Sequence, residues 1–199
     1  IICISDLHTL PLPPLPPGDL LIIAGDLTEG TTAQLKTRLT ELSALKSNYA
    51  HIIVIAGNHD RALDSDCDEF DTRYLPDKGR IDALKAREEV RRLFRESEAI
   101  TYLENSTTTV TIRNRTYTIF GSPGSLATSK RTAFGYTVDE AVKYLGKMSE
   151  KVDILITHSP PAGYLDGGLG CLALRDVLWE RKPRAHIFGH VHQGRGVAL

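Results

Sequence analysis

The fold of this 199-residue chain is decided by residues 52–60, which read IIVIAGNHD. Four β-branched apolar residues lead into an alanine and a glycine, and then Asn58, His59 and Asp60 follow together. An unbroken apolar run of this kind predicts a strand that is buried on both faces, in a sheet covered by other layers. Polar side chains placed directly after such a strand lie at its C-terminal end, where open α/β sheets bind their ligands.

Similar apolar runs recur along the chain, and helical patterns lie between them. Further buried strands are predicted at 1–5, 20–24, 117–121, 154–157 and 185–189, with a half-exposed strand at 107–112 that forms a hairpin through RNR. Amphipathic helices are predicted at 31–47, 81–99, 137–151 and 171–182. This alternation predicts an α/β layered architecture in a single domain over residues 1–199.

Three segments lack both kinds of periodicity. The proline-rich segment 9–19 predicts a stiff, extended connection between two strands. The acidic segment 60–74 has no calcium-loop spacing and predicts a solvated surface loop. The glycine-rich segment 163–170, GYLDGGLG, lacks the ending of a phosphate-binding P-loop and predicts a flexible loop at the rim of the site.

Composition and charge narrow the class of protein. Apolar residues make up 41% and charged residues 25%, and the net charge of -1 provides no basic field for stable nucleic-acid binding. No apolar run is long enough to span a membrane. The 3 cysteines are far apart, which predicts free thiols and a cytoplasmic location. Because the chain begins inside a predicted strand and stops soon after its last motif, we expect both ends to be incomplete.

Metal-binding side chains follow five of the predicted strands. They are Asp6 and His8, Asp26, Asn58, His158, and the pair His190 and His192. Imidazole together with carboxylate and amide oxygen suits zinc, iron or manganese. The set is too large for one tetrahedral zinc, and it suits two metal ions that share a bridging carboxylate. With neutral histidines, a pair of divalent ions would keep a net positive charge and attract a phosphoester anion.

The ordered motifs SDLH, GDLTEG, GNHD, THSPP and GHVH resemble those of the calcineurin-like metallophosphoesterases, from residue 6 to residue 192. The C-terminal part is similar to the branch of metallophosphoesterase-domain-containing proteins found in animals and fungi. The resemblance implies a four-layer α/β (α+β) sandwich of two mixed β-sheets flanked by helices. It implies one metal held by Asp6, His8 and His192, a second held by Asn58, His158 and His190, and Asp26 as the bridge. His59 would protonate the leaving oxygen or stabilise its charge.

The implied activity is metal-dependent hydrolysis of a phosphoester by in-line attack of a bridging hydroxide, with manganese, iron or zinc as the metals. The branch favours a small-molecule phosphodiester substrate. A phosphomonoesterase and a non-catalytic scaffold of the same fold are the alternatives, and the sequence makes no prediction of oligomeric state. Thr28, Glu29 and Gly30 replace the Asp-Arg-Gly of the protein phosphatases, and Asp60 replaces their usual Glu. Both departures argue against a phosphoprotein substrate.

Four other residues near these motifs were assigned from the pattern alone. Gly57 is expected to permit a sharp turn that lets Asn58 reach a metal. His51 and His186 belong to no motif and are expected to be ordinary structural residues. Arg195 is expected to be solvated rather than to bind substrate.

Overall fold

The computed structural model describes residues 1–127, 132–148 and 151–199. The strands are β1 (Ile2–Ile4), β2 (Leu20–Ala24), β3 (His51–Ile55), β4 (Thr101–Tyr102), β5 (Ser106–Ile112), β6 (Arg115–Ser122), β7 (Ser125–Leu126), β8 (Gly135–Tyr136), β9 (Ile154–Thr157) and β10 (Ala185–Ile187). The α-helices are α1 (Thr32–Ala44), α2 (Asp68–Thr72), α3 (Asp77–Arg95), α4 (Val138–Leu145) and α5 (Leu172–Arg181).

Two four-stranded sheets carry the fold. The first has the order β1-β2-β3-β4 and is parallel throughout, and the second has the order β10-β9-β6-β5. In the second sheet β10, β9 and β6 are parallel, whereas β5 and β6 form the predicted antiparallel hairpin. Its turn places Arg113 and Asn114 at φ 48° and 64°, the left-handed angles that a two-residue hairpin turn requires. The two main sheets are confirmed, but only the second is mixed, and β7 and β8 form a separate two-stranded parallel sheet.

Apolar side chains of β2 show why the central strands have no alternating pattern. Leu21 and Ile23 belong to the core cluster shared with α1 and α3, whereas Leu20 and Ile22 belong to the cluster shared with the second sheet. Burial of each such side chain contributes about 1.5–3 kcal/mol. Residues of α4 and α5 cover the other face of the second sheet. The order of layers is therefore helix, sheet, sheet, helix, as the resemblance implied.

The predicted helices are present with shifted ends. A capping box between Thr31 and Gln34 starts α1, and Cys171 caps α5. Helix α3 begins at Asp77, four positions earlier than predicted, with Pro76 at the N-cap. The prediction at 137–151 extends over 149–150, which lie outside the described residues, and α4 ends at Leu145. None of the helices in the described ranges has the length and apolar character to cross a membrane.

The proline-rich segment 9–19 and the acidic segment 60–74 differ in how well their structures match the predictions. Residues 11–18 form no helix or strand, consistent with the predicted connection, and the Tyr49 hydroxyl donates to the carbonyl of Pro16 at 2.6 Å. The prediction of a solvated loop at 60–74 was wrong, because this acidic segment folds into short helical turns and α2. Asp68 pairs with Arg87 and Arg91 of α3, whose side chains are nearly buried. Sequence spacing could not reveal these partners, because they lie in another helix, 19 and 23 residues after Asp68.

Candidate metal centre

The predicted site residues all lie at the C-terminal ends of parallel strands. Asp6 and His8 follow β1, Asp26 follows β2, Asn58 follows β3, His158 follows β9, and His190 and His192 follow β10. The structure brings these side chains together around the Asp26 carboxylate. Asp26 Oδ2 lies 3.8 Å from His8 Nε2 on one side and 3.4 Å from His158 Nε2 on the other.

One half of the cluster, which we call the open group, consists of Asp6, His8 and His192. His8 Nε2 lies 3.3 Å from His192 Nε2, and His192 Nε2 lies 3.6 Å from Asp6 Oδ1. One ligand atom from each of the three residues can be chosen so that all lie within 4.8 Å of one another. The His192 side chain is 57% exposed, so this half faces solvent.

The other half, the buried group, consists of Asn58, His158 and His190. His158 Nε2 and His190 Nδ1 each lie 2.8 Å from the same atom, Asn58 Oδ1. The His158 side chain is fully buried, in contrast to His192. The residues of the two groups are those that the resemblance assigned to two metals, and Asp26 Oδ2 approaches one histidine of each group.

A hydrogen bond to its outer ring nitrogen selects the tautomer of His158. His158 Nδ1 lies 2.9 Å from the carbonyl oxygen of Ala24, which can only accept, so the proton is on Nδ1. His8 Nδ1 lies 2.9 Å from Glu29 Oε1 but makes no hydrogen bond there, so its tautomer is not assigned by that contact. His158 Nε2 then directs its lone pair at Asn58 Oδ1 and Asp26 Oδ2, which also carry only lone pairs. A cation resolves that repulsion, so the donor set fits divalent metal ions.

Glu29 connects the open group to His59 and was missed as a site residue. Its Oε2 atom lies 3.0 Å from His59 Nδ1, while Oε1 contacts His8. The rings of His8 and His59 meet edge to face, with centroids 4.7 Å apart. In the sequence, Glu29 stood out only as a difference from the Asp-Arg-Gly motif of the protein phosphatases. Its position three residues after Asp26, in the same tight turn, was the available signal.

Several proposed ligands have unusual backbone angles. Asp6, His8, Asp26 and His190 adopt φ values of 56°, 48°, 49° and 73°, in the left-handed region that L-residues seldom occupy. Each such residue costs on the order of 1–3 kcal/mol and persists only where surrounding contacts enforce it. Four of the ten non-glycine residues with positive φ in the described part of the chain are proposed ligands, and strain at such positions is typical of a functional site.

Gly57 is required for a different reason from the predicted one. Its φ lies outside the left-handed region, so the backbone angle itself would accept other residues. A Cβ atom at this position would instead lie 2.3 Å from Asp26 Oδ1 and 2.7 Å from His158 Cε1. The glycine therefore allows the loop after β3 to approach the Asp26 carboxylate closely.

Asp60 joins the second and third ligand loops. Its fully buried carboxylate accepts from the backbone N–H groups of Leu27 and Thr28 at 3.0 Å each and of Gly57 at 2.9 Å. Burial and the nearby charge of Asp26 raise the pKa of Asp60 to about 7, although these hydrogen bonds act in the opposite direction. Asp60 thereby holds the loops that carry Asp26 and Asn58 together, although it belongs to neither ligand group.

Electrostatics within the buried group favour bound positive charge. Burial opposes ionisation of Asp26, but hydrogen bonds and charges from His158 and His59 hold its pKa below the ordinary value. Burial likewise opposes protonation of His158, yet the Asp26 partner raises the pKa of His158. Burial and the neighbouring His158 lower the pKa of His190. The raised pKa of His158 beside an ionised Asp26 shows that this pocket attracts positive charge.

The family of the chain follows from a whole-chain match. The model of the calcineurin-like phosphoesterase family matches residues 1–194. The chain belongs to this family. Human metallophosphoesterase domain-containing protein 1 is 36% identical over 212 residues, which cover 98% of this chain and 61% of that protein. Probable rhamnogalacturonate lyase C of Emericella nidulans is 35% identical over 98% of this chain and 17% of that protein. The chain therefore spans less than two thirds of either relative.

A solved structure supports the same fold. The phosphopantetheinyl hydrolase of Mycobacterium tuberculosis superposes with a TM-score of 0.54 at 20% identity, covering 96% of this chain and 82% of that one. Within this metallophosphoesterase fold, the remaining expectations for nearby residues are met. His51 contacts a backbone carbonyl and His186 contacts Thr157, and both lie outside the ligand groups. Arg195 is exposed, as predicted.

The glycine-rich loop 163–170 lies beside the segment that carries His192. Asp166 Oδ2 accepts from the N–H groups of Gly163 at 3.0 Å and Gly170 at 3.1 Å, which closes the loop on itself. A Cβ atom on Gly194 would collide with the carbonyl of Leu165, so the loop and the final turn pack closely. The predicted position at the rim is therefore correct, and internal hydrogen bonds give the loop a defined shape.

Proposed function

We propose that this chain hydrolyses phosphoesters with two divalent metal ions, and that its substrate is a small-molecule phosphodiester. The observation that carries the proposal is that one carboxylate oxygen, Asp26 Oδ2, approaches a histidine of each ligand group, His8 at 3.8 Å and His158 at 3.4 Å. In this proposal Asp6, His8 and His192 hold one ion, and Asn58, His158 and His190 hold the other. Asp26 bridges them. The mixed nitrogen and oxygen donors suit manganese, iron or zinc.

The metals and the protein supply different parts of the reaction. When bound, the two ions would activate a water for in-line attack and polarise the phosphoryl oxygens. The chain itself contributes the fixed positions of the ligands and the histidine beside them. Glu29 accepts from His59 Nδ1, which directs His59 Nε2 away from Glu29 and leaves it available to give a proton to the departing oxygen. Family membership and the complete ligand set support an enzyme over a scaffold.

Two properties of the whole chain support the substrate class and location. A net charge of -1 favours a small anion drawn to a local cationic centre over nucleic acid. The three cysteines, Cys3, Cys67 and Cys171, are free, which fits the proposed cytoplasmic location.

Hydrolysis of bis(4-nitrophenyl) phosphate by the manganese-loaded chain tests the proposal. We expect His59→Ala to lower kcat by about 10²–10⁴-fold, the usual contribution of a positioned acid. Metal content, measured by elemental analysis, should be unchanged. His51→Ala is the matched control, since His51 lies outside the ligand groups, and it should keep full activity.

The same assay separates the alternatives. Faster turnover of 4-nitrophenyl phosphate than of the diester would establish a phosphomonoesterase. Equal rates for His59→Ala and the unaltered protein would show that His59 takes no part in the reaction. Absence of hydrolysis with manganese, iron and zinc would contradict the proposal and leave the scaffold reading.

A further inference from the structure

A groove of about 400 Å³ opens beside His8, between the loop that follows β1 and the first turns of α1. Leu10 and Pro11 form part of one wall, and Ala33 and Thr37 form part of the other. Ala33 and Thr37 lie four residues apart and so share one face of α1. Because His8 and Thr28 also line the groove, its inner end reaches the open group of ligands.

The position of His59 indicates which part of a substrate would enter this groove. The His59 ring contacts the His8 ring, so both histidines border the same side of the cluster. An acid that protonates the leaving oxygen must stand beside the leaving group. The leaving group would consequently depart on the side of His8, and the groove is a space beside His8 large enough to hold it.

The lining of the groove is nearly neutral. Arg38 is its only described cation, and its side chain is only 5% exposed. The Arg38 guanidinium donates to the carbonyls of Leu27 at 3.0 Å and Leu10 at 2.8 Å, and it pairs with Glu41 at 2.7 Å. Its charge is therefore already neutralised. The half-exposed carboxylate of Glu29, which touches His8, adds negative charge near the inner end.

We propose that this groove binds the leaving alcohol of the substrate, and that this alcohol is partly apolar and carries no anionic group of its own. The apolar walls and the threonine hydroxyls suit such a group. A second phosphate or carboxylate would meet Glu41 and Glu29 with no unpaired cation among the described lining residues. The inference rests on the proposed function and names the leaving-group class of the same site.

Two threonines of α1 provide a matched test by binding. Thr37 lines the groove, whereas Thr40 is also exposed on the same helix and lies outside the lining. The probe is 4-nitrobenzylphosphonate, which cannot be hydrolysed, titrated calorimetrically into the manganese-loaded chain. Thr37→Trp fills the groove and should raise Kd about tenfold, the loss of roughly 1.4 kcal/mol, whereas Thr40→Trp should leave Kd unchanged. Equal Kd values for the two variants would overturn the proposal.

A charge test uses hydrolysis of 4-nitrophenyl and 3-carboxy-4-nitrophenyl phosphodiesters. The unaltered chain should prefer the uncharged leaving group by about tenfold in kcat/KM. Thr37→Lys should reduce that preference, and Thr40→Lys should not. No preference in the unaltered chain would overturn the inference while the proposed hydrolysis stands. A Kd that depends on Thr37 without any hydrolysis would instead contradict the proposed function and leave the binding groove supported.

Discussion

The open group and the buried group use similar side chains in opposite surroundings. His192 in the open group is 57% exposed, and His158 in the buried group is fully enclosed. The buried group is fixed from behind by the Ala24 carbonyl and by both central sheets. The open group instead depends on the loop after β1, on Glu29 and on the final 3₁₀ turn, His192–Gly194. Preorganised, desolvated ligands lose less freedom on binding, so the buried group should hold its metal more tightly.

The largest effect is expected where the two groups meet. Asp26→Asn removes the charge that faces both His8 and His158. We expect both metals to be lost from the isolated protein and the rate of diester hydrolysis to fall by about 10³-fold or more. Asp19→Asn, at an exposed ion pair with Arg113, is the control and should change neither quantity. Retention of two metals by Asp26→Asn would show that the groups do not share this carboxylate.

The next largest effect concerns the support of the open group. Arg38 donates to the carbonyls of His8, Leu10 and Leu27, and so connects the loops after β1 and β2 through α1. Arg38→Met leaves these acceptors and Glu41 without their partner and should lower the free energy of unfolding by about 3 kcal/mol.

Urea denaturation and metal titration measure the two consequences of Arg38→Met. Metal affinity should fall more in the open group than in the buried group, because His158 has no contact with this arginine. The control Arg92→Met removes an exposed pair with Glu96 and should cost less than about 0.5 kcal/mol. Equal stability of the two variants would show that Arg38 does not stabilise the site.

A smaller change should distinguish the groups directly. Glu29 contacts His8 Nδ1 and His59 Nδ1 but none of the buried ligands. Glu29→Gln keeps the shape and removes the charge, and it should weaken one metal by about 10–100-fold while the other is unaffected. Stepwise removal with a chelator, followed by elemental analysis, checks this. A parallel loss of both metals would contradict the difference between the groups.

The smallest expected effect is on the way the free energy of unfolding changes at acid pH. It concerns a residue in the sheet that carries the buried group. Its packed position lowers the pKa of His186, whose Nε2 lies 2.7 Å from Thr157 Oγ1. Below the ordinary pKa of 6.5, the unfolded chain binds a proton that the folded chain does not bind. Stability therefore falls as pH decreases from there, by at most about 1.4 kcal/mol per pH unit from this residue.

His186→Gln should remove this contribution, so its free energy of unfolding should fall less steeply between about pH 6.5 and pH 5. Denaturant titrations across that range measure the difference, and the buried metal should remain bound. Parallel curves for the variant and the unaltered chain would show that the pKa of His186 is the same in both states.

The candidate ligands were predictable from the sequence because strand ends are local features, whereas their division into two groups was implied only by the family resemblance. A buried run followed by Asp26 or Asn58 places that side chain at a known edge of a parallel sheet. The supports were not predictable in the same way. Arg38 reaches three carbonyls from two separate loops, and Asp60 reaches backbone N–H groups across a loop boundary. These contacts depend on how loops fold in three dimensions, and no periodic pattern records them.

The acidic segment shows the same limit from another side. Its carboxylates have the composition of a solvated loop, yet Asp68 and Asp71 contact arginines of α3. Composition indicates only that burying an unpaired charge is costly. Pairing with an arginine offsets that cost, but the sequence does not identify the partner. Gly57 was singled out correctly, but its reason is the closeness of Asp26, which only the folded chain reveals.

Anomalous diffraction from a crystal grown with manganese tests the central claim most directly. The account predicts two peaks about 3.5–4 Å apart, a separation typical of two-metal sites. One peak should contact Asn58, His158 and His190, the other should contact Asp6, His8 and His192, and the Asp26 carboxylate should contact both. A single peak, or two peaks of which neither touches Asp26, would contradict it.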